Sequence, residues 1–493
     1  MSGRTTSLDS VDGASSTPAD DSVATASRTV ADRAAQVRYR RAVSFLAMTL
    51  VMPGSAQLVA GNARVGRWAI RLWAVLWLSL VAVVGITLAS PHTGLRMFTN
   101  PDDLLVLMIV LTVVGLGWAA LFIDAWRIAR PMDLLRQHRS ATAVVHLAMA
   151  FTVASVLLYG AHMVGAQRGM IMAMFGGDTV AGSTGGRYNV LILGGDSGTD
   201  RWGLRTDSMT IASIDAQTGQ TVLIGVPRNM MNFKFPRGSK LAKAWPNGYN
   251  CSTCELNSLA TYAGDHRAMF AHEKNPGVEA TIEGIEGVTG LKISYWAMIN
   301  MPAFSDLVNA VGGVKINVRQ PIAIGRTGQI LGYIQPGYRT LKGDDLLWYV
   351  RSRATSDDYS RMARQKCVMN AMLQQISPAT VIEHFSQIAS ASASLLQTDI
   401  PSSEIDRFAS LALKSKAQKI ATVSLVPPLV NTSRPDETVI HNAIFAALHP
   451  DQAKPSQKAP SRPTGYTGIS EGSFGTMAKG YVANHTSDLG SSC

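Results

Sequence analysis

Arginines and aspartates are threaded through residues 196–364 in a pattern that suits phosphate. They read Gly195-Asp196-Ser197, Arg205-Thr206-Asp207-Ser208, Val226-Pro227-Arg228, Arg351-Ser352-Arg353 and Asp358-Tyr359-Ser360-Arg361-Met362-Ala363-Arg364-Gln365. A guanidinium fork grips phosphate oxygens two at a time and keeps its charge at any working pH. Carboxylates set among such arginines suit a hard cation such as Mg²⁺, which shares its shell with substrate phosphate. The pattern points to diphosphate chemistry.

Such groups need strands and helices to hold them. Tyr188-Asn189-Val190-Leu191-Ile192-Leu193 is an apolar run ending in Gly194-Gly195-Asp196, which reads as a buried strand feeding a tight turn. Further strands are expected at Ser208–Ile214, Thr221–Val226 and Val314–Val318, and helices at 254–264, 279–289, 302–311, 343–350, 358–376 and 403–415. Strands interleaved with helices give an α/β fold, here an α/β/α sandwich on a mixed central sheet. Asp196, Arg205, Asp207 and Arg228 all fall at or beside strand ends, where α/β sheets bind ligands.

The chain of 493 residues has a formal net charge of +11, so an anionic partner is expected. No helix-turn-helix, zinc finger or aromatic RNA-binding signature supports nucleic acid. Residues 1–40 read as a disordered basic tail on the cytoplasmic side, without the layout of a signal peptide. Residues 41–160 read as a helical membrane region. Trp68–Ala89, Leu104–Ile123 and Ala141–Gly160 each have about the 20 apolar residues that a span needs. Arginines cluster before the first run and between the second and third, which puts both of those segments inside and residues 161–493 outside. Residues 42–60, broken by Pro53-Gly54-Ser55, are expected to be a re-entrant or interfacial helical hairpin. A linker (161–187), a folded domain (188–449) and a flexible Pro/Ser/Gly/Lys-rich tail (450–493) complete the expected organisation.

Six motifs in order resemble the LytR-CpsA-Psr family: Leu193–Ser197, Arg205–Ser208, Val226–Arg228, Val311–Val314, Leu341–Arg353 and Asp358–Gln365. The resemblance implies a multi-pass membrane protein with an extracytoplasmic phosphotransferase domain that moves a glycopolymer from a polyprenyl pyrophosphate carrier to peptidoglycan. Its donor would be the lipid-linked glycan, its acceptor peptidoglycan, and its setting the membrane lipid. By motif, Asp196 and Asp207 would hold Mg²⁺ (or Mn²⁺). Arg205, Arg228, Arg351, Arg353, Arg361, Arg364 and Gln365 would surround the pyrophosphate, with Lys240 in support. Arg205, Arg228 and Asp207 would act at the reacting centre. Asn229 departs from the family, which commonly has an acid there to brace the arginines. No histidine sits in the motifs, so no general base is named.

Other readings of the same residues are simpler. Salt bridges to Asp344, Asp345, Asp357 and Asp358 would explain the arginine pairs 351/353 and 361/364 singly. Hydrolysis of the same lipid pyrophosphate needs the same site, and a lipid-binding scaffold or transcriptional attenuator is the non-enzymatic rival. Cys251-Ser252-Thr253-Cys254 lacks a second pair at metal spacing, so a disulfide is expected, either within the loop or from one of the two to Cys367. Cys493 has no evident partner.

Overall fold

Thr221-Val222-Leu223-Ile224-Gly225-Val226 is buried at every residue, the mark of a strand covered on both faces. It is strand β3 of the computed structural model, which describes residues 18–89, 97, 100–175, 179–196, 205–326, 328–354, 356–376, 396–453 and 481–493, with backbone alone at 18–32, 173–174, 196, 205, 396 and 481–482. Two compact units divide the chain: Met1–Gly94 with Asp103–Gly165, and Leu95–Asp102 with Ala166–Cys493.

The first unit is helical: α1 (Pro18–Val51), α2 (Ser55–Ala60), α3 (Ala63–Ala89), α4 (Pro101–Ile128) and α5 (Arg136–Met174). Among the described residues, Ala63–Ala89, Pro101–Ile128 and Arg136–Met172 are long and apolar enough to cross a membrane, and they contain the three expected runs. The helix break within residues 42–60 falls at Met52–Gly54, between α1 and α2. It is held by Trp118 Nε1 donating to the Thr49 carbonyl and Gln57 Nε2 donating to the Leu121 carbonyl, both at 2.9 Å. Two expectations are corrected. Residues 18–40 are helical, because Pro18 opens the helix at a position where its missing N–H costs nothing and alanine and arginine, both good helix formers, recur along it. Helix α5 also runs on to Met174, through half of the expected linker, since only single glycines, and no proline or glycine pair, precede Gly176-Gly177. Residues 1–17 lie outside the described residues.

A seven-stranded mixed sheet organises the second unit, in the order β11-β10-β3-β2-β1-β4-β9. The strands are β1 (Arg187–Asp196), β2 (Arg205–Asp215), β3 (Thr221–Val226), β4 (Tyr295–Asn300), β9 (Leu396–Thr398), β10 (Ala421–Ser424) and β11 (His485–Thr486). β1 runs antiparallel to β2 and parallel to β4. Between β4 and β9 come two hairpin-like pairs, β5 (Val314–Val318) with β8 (Gly337–Leu341) and β6 (Ile322–Arg326) with β7 (Gln329–Ile334). The helices are α6 (Lys240–Ala244), α7 (Leu259–Asp265), α8 (Pro276–Thr289), α9 (Met301–Ala310), α10 (Gly343–Arg351), α11 (Asp358–Gln375), α12 (Ile405–Lys416), α13 (Glu437–Leu448) and α14 (Leu489–Ser492).

Alternation along the strands sorts these helices into two layers. Leu191, Ile211, Val222 and Ile224 pack with Leu259, Ile285 and Ile440 from α7, α8 and α13. Facing the other way, Ala212 and Leu223 pack with Ala363 and Cys367 of α11 and with Leu489 of α14. Tyr188, Val190 and Tyr295 meet Leu411 of α12. The expected α/β/α sandwich is the fold. A separate core joins Val308 of α9, the β5–β8 strands, Leu346 and Tyr349 of α10, and Val368 of α11.

The C-terminal segment overturns a third expectation. Residues 481–493 are bound into the sheet, with β11 antiparallel to β10 and Cys493 disulfide-bonded to Cys367 of α11. Cys251 pairs with Cys254. Within this anchor Asn484 Nδ2 donates to the Tyr359 carbonyl at 3.0 Å, and Lys366 Nζ donates to Asn484 Oδ1 at 3.0 Å and to Ser424 Oγ. A Cβ on Gly225 would lie 2.7 Å from that ammonium, so a side chain there would have to displace Lys366. Residues 454–480 of the expected tail lie outside the described residues.

Candidate active site

Strands β1 and β4 are parallel, and their C-terminal ends open onto a cavity of about 520 Å³. At that end the β1–β2 ladder shifts register between Gly194 and Gly195, and a Cβ on Gly194 would press against Ser208 at 3.0 Å. Helix α9 starts there too, with Asn300 Oδ1 accepting from Ala303 N–H and Pro302 in its first turn.

The cavity has two halves of different chemistry. Asp207, Ser208, Arg228, Arg351, Arg353, Arg361 and Gln365 form a polar mouth. Ile192, Ile299, Phe304, Leu347, Trp348, Val368 and Met372 form an apolar trough continuous with it. Helix α11 carries the change along one stripe, since Arg361, Gln365, Val368 and Met372 keep the spacing of a single helical face. Asp357 caps that helix, its carboxylate accepting the Ser360 N–H at 2.6 Å.

Two carboxylates brace the arginines. Arg228 Nη1 donates to Asp207 Oδ1 at 2.6 Å. Asp358 Oδ1 stands 3.5 Å from Arg228 Nε and 3.5 Å from Arg353 Nη1, while its Oδ2 accepts from Arg361 Nη2 at 3.0 Å. Arg361 Nη2 also donates to the Asp207 carbonyl at 2.9 Å. Burial pulls the Arg228 guanidinium down, but Asp358 and Asp207 together carry it above its ordinary value. At Arg361 burial wins over Asp358 and lowers it. Both remain cations at any working pH. Among the described residues, Arg361 Nε is buried without a hydrogen-bond partner. Arg351 lies 4.8 Å over the Trp348 ring, at the join of mouth and trough.

Not every expected residue comes to this mouth. Arg364 is fully buried, does not line the cavity, and donates to the Tyr349 and Ser352 carbonyls and to Ser356 Oγ at 3.2 Å. It is therefore a strut for the segment carrying Arg351 and Arg353, and burial lowers it to about 10. Lys240 is elsewhere, on α6, paired with Glu273 Oε1 at 2.5 Å over the Phe270 ring. Gln365 does line the cavity, accepting from Ser208 Oγ at 2.9 Å. Arg351 ends a helix and Arg353 comes two residues after it, so neither lies on a strand. The side chains of Asp196 and Arg205 lie outside the described residues; their backbones pair at the open end of β1 and β2.

Asp358, the bridge between three arginines, is in the sequence one of four candidate salt-bridge partners for the pairs 351/353 and 361/364, with nothing to link it to Arg228. Only its link to Arg361 is local; the links to Arg228 and Arg353 come from the fold. These links also supply bracing that residue 229 does not, since among the described residues Asn229 Oδ1 is buried without a hydrogen-bond partner. The apolar trough has a sequence signal too, in Leu347-Trp348 and in Val368 and Met372, which continue the helical stripe of Arg361 and Gln365.

For a divalent cation the donor chemistry is carboxylate oxygen, which suits Mg²⁺ or Mn²⁺. No group of three or more His, Cys, Asp or Glu side chains able to hold a metal occurs among the described residues. Of the described carboxylates, Asp207 lines the cavity, with one oxygen already accepting from Arg228.

A mixed sheet with an arginine-lined, apolar-floored cavity at its strand ends defines a class, and the sequence places the chain in it. The LytR_cpsA_psr family matches residues 167–457, and the chain belongs to that family. It is 27% identical over 222 residues to the biofilm regulatory protein A of Streptococcus mutans, covering 43% of this chain and 50% of that protein. It is 25% identical over 233 residues to the polyisoprenyl-teichoic acid–peptidoglycan teichoic acid transferase TagU of Enterococcus faecalis, covering 45% of this chain and 64% of the relative. The chain thus spans about half to two thirds of these curated relatives' lengths. The crystal structure of TagV from Bacillus subtilis is 19% identical, with a TM-score of 0.40, covering 55% of this chain and all of that one.

Proposed function

We propose that this chain is a membrane-anchored phosphotransferase that moves a glycopolymer from a polyprenyl pyrophosphate carrier to peptidoglycan on the outer side of the membrane. The observation that carries the reading is one cavity with an arginine mouth running into an apolar trough. A lipid diphosphate has those two chemistries in that order. The name of the Enterococcus faecalis relative, a transferase between a polyisoprenyl-linked teichoic acid and peptidoglycan, supports it. The family's membership and three apolar helices support the anchor.

In this reading Arg228, Arg353 and Arg361 take the pyrophosphate oxygens while Trp348, Phe304 and Met372 take the first isoprene units. Phosphoryl transfer asks mainly for neutralised charge and an acceptor held in line. Asp358 and Asp207 keep the guanidinium forks fixed, so little reorganisation is needed as charge shifts toward the leaving oxygen. The acceptor hydroxyl oxygen bonds to the sugar-proximal phosphorus as the bridging P–O bond to the carrier breaks; polyprenyl phosphate departs with that electron pair and the hydroxyl proton is released to solvent. Asp207 and Asp196 would hold Mg²⁺ or Mn²⁺, which neutralises charge on the diphosphate when bound.

The test is transfer of a labelled glycan from a polyprenyl-pyrophosphate donor to peptidoglycan fragments by the full chain in detergent, with Mg²⁺ or with EDTA. Label on peptidoglycan, lost in Arg228→Ala, is the expected result. Label released only as free sugar phosphate would make the protein a hydrolase. Donor bound but intact, with acceptor present, would overturn the enzymatic reading.

A further inference from the structure

The β5–β8 strands carry a surface that the transfer reading does not use. Between residues 330 and 338 four large side chains, Ile330, Leu331, Tyr333 and Tyr338, stand in solvent, with Leu331 76% and Tyr338 87% exposed. One exposed leucine needs no explanation, but Leu331 and Tyr333, two apart on one face of β7, with Tyr338 following on β8, call for one. Its charges have one sign. From Gly312 to Lys342 the sequence has no Asp or Glu, and it has Lys315, Arg319, Arg326, Arg339 and Lys342.

The strip is firmly built. Ile322 and Ile334, opposite each other in the β6–β7 ladder, are buried in the core shared with α10 and α11. It also touches the active site. Ser352 Oγ, between Arg351 and Arg353, donates to the Ala323 carbonyl at 2.6 Å, and Gly325 and Arg326 of β6 line the cavity.

We infer that the segment from β6 to β8 is a bilayer contact, in which Leu331, Tyr333 and Tyr338 enter the interfacial layer of an anionic leaflet and Arg326 and Arg339 meet lipid phosphates. Tyrosines with apolar bodies and polar tips favour that layer, and a basic strip without acids is drawn to anionic headgroups. An anionic polymer in water would match the charge but leave Leu331 without a partner. Resting on the transfer reading, the consequence is a cavity mouth at headgroup depth, so that a carrier lipid enters without crossing water.

Both disulfides leave the four cysteines paired, so Leu331→Cys in the full chain accepts a single environment-sensitive fluorophore. In nanodiscs carrying doxyl-labelled lipid, its quenching is expected to be several-fold stronger in phosphatidylglycerol than in phosphatidylcholine. Arg339→Gln should weaken it, and a label at Asp265→Cys, exposed at the end of α7, should be quenched in neither lipid. Tyr338→Cys provides a second labelled position if the first variant misfolds. Water-like emission at positions 331 and 338 in both lipids overturns the inference. So does protection by soluble poly(glycerol phosphate) in phosphatidylcholine without lipid quenching, which would assign the strip to an anionic polymer. The readout needs no turnover, so its failure is distinct from failure of the transfer reading.

Discussion

Arg228 and Asp207 meet at 2.6 Å across 21 residues of sequence, tying the turn after β3 to the start of β2 at the lip of the cavity. The pair fixes the fork and limits the carboxylate at once. Arg228→Ala should lower transfer by about two to three orders of magnitude, the cost of losing one preorganised donor. Arg228→Lys keeps charge without the fork and should stay well below the parent. Asp207→Asn should weaken activation by Mg²⁺, read as a higher cation concentration for half-maximal turnover; an unchanged requirement would remove Asp207 from the metal site.

Asp358 joins Arg228, Arg353 and Arg361, and the last of these is buried. In Asp358→Asn the charges lose their common partner. Chemical denaturation should show a loss of about 1–3 kcal/mol, in the range for breaking hydrogen bonds to charged groups. The donor KM should rise in the same variant. A variant as stable as the parent would refute the bracing role.

Arg364 and Arg353 should separate stability from binding. Arg364→Lys loses the fork that holds the Tyr349 and Ser352 carbonyls, at a cost of about 1–3 kcal/mol by denaturation. Half-exposed Arg353 can become lysine within about 0.5 kcal/mol. Donor binding, measured directly, should weaken in Arg353→Lys.

Among the described residues buried Lys366 has no carboxylate partner, and burial lowers its ammonium to about 7 from 10.5. Buried His485 beside it is lowered to about 3, by burial first and then by Lys366. Between pH 7 and 10.5 the unfolded chain holds the lysine proton more often than the folded one, so stability rises with pH across that window. The slope from this group is at most about 1.4 kcal/mol per pH unit. Lys366→Met should flatten that limb; a limb of unchanged slope would show that the lysine is charged in the fold.

The two disulfides should differ in worth. Cys367–Cys493 closes a separation of 126 residues and Cys251–Cys254 one of 3. Cys493→Ser should cost about 2–5 kcal/mol and Cys251→Ser less, because a longer closed loop removes more entropy from the unfolded chain. Equal losses in thermal denaturation would contradict this ranking.

Much of the fold was legible because its signals are local. β1, β2 and β3 are apolar runs bounded by Gly194-Gly195 and by the turn at Asp215–Gly219, and the spacing of α11 sets out its stripe. β9, β10 and β11 have two to four residues each and owe their existence to the neighbour they pair with. Arg364 comes three residues after Arg361, which on a helix turns it roughly 60° away from the cavity stripe. That rotation is enough to bury it under the 349–356 segment. Nothing near Cys493 in sequence announces Cys367, because the pairing is made by β11 docking on β10.

The anchoring of residues 483–493 onto α11 also sets an order of assembly. Helix α11 bears Arg361 and Gln365, yet its far side is closed by Ala483, Asn484 and Leu489, which a ribosome delivers more than a hundred residues later. Whichever side of a membrane the domain folds on, a nascent chain halted before residue 483 has every motif of the site and an uncovered helix behind it. Synthesis of the arginine cluster and completion of a working pocket are therefore separate events in time.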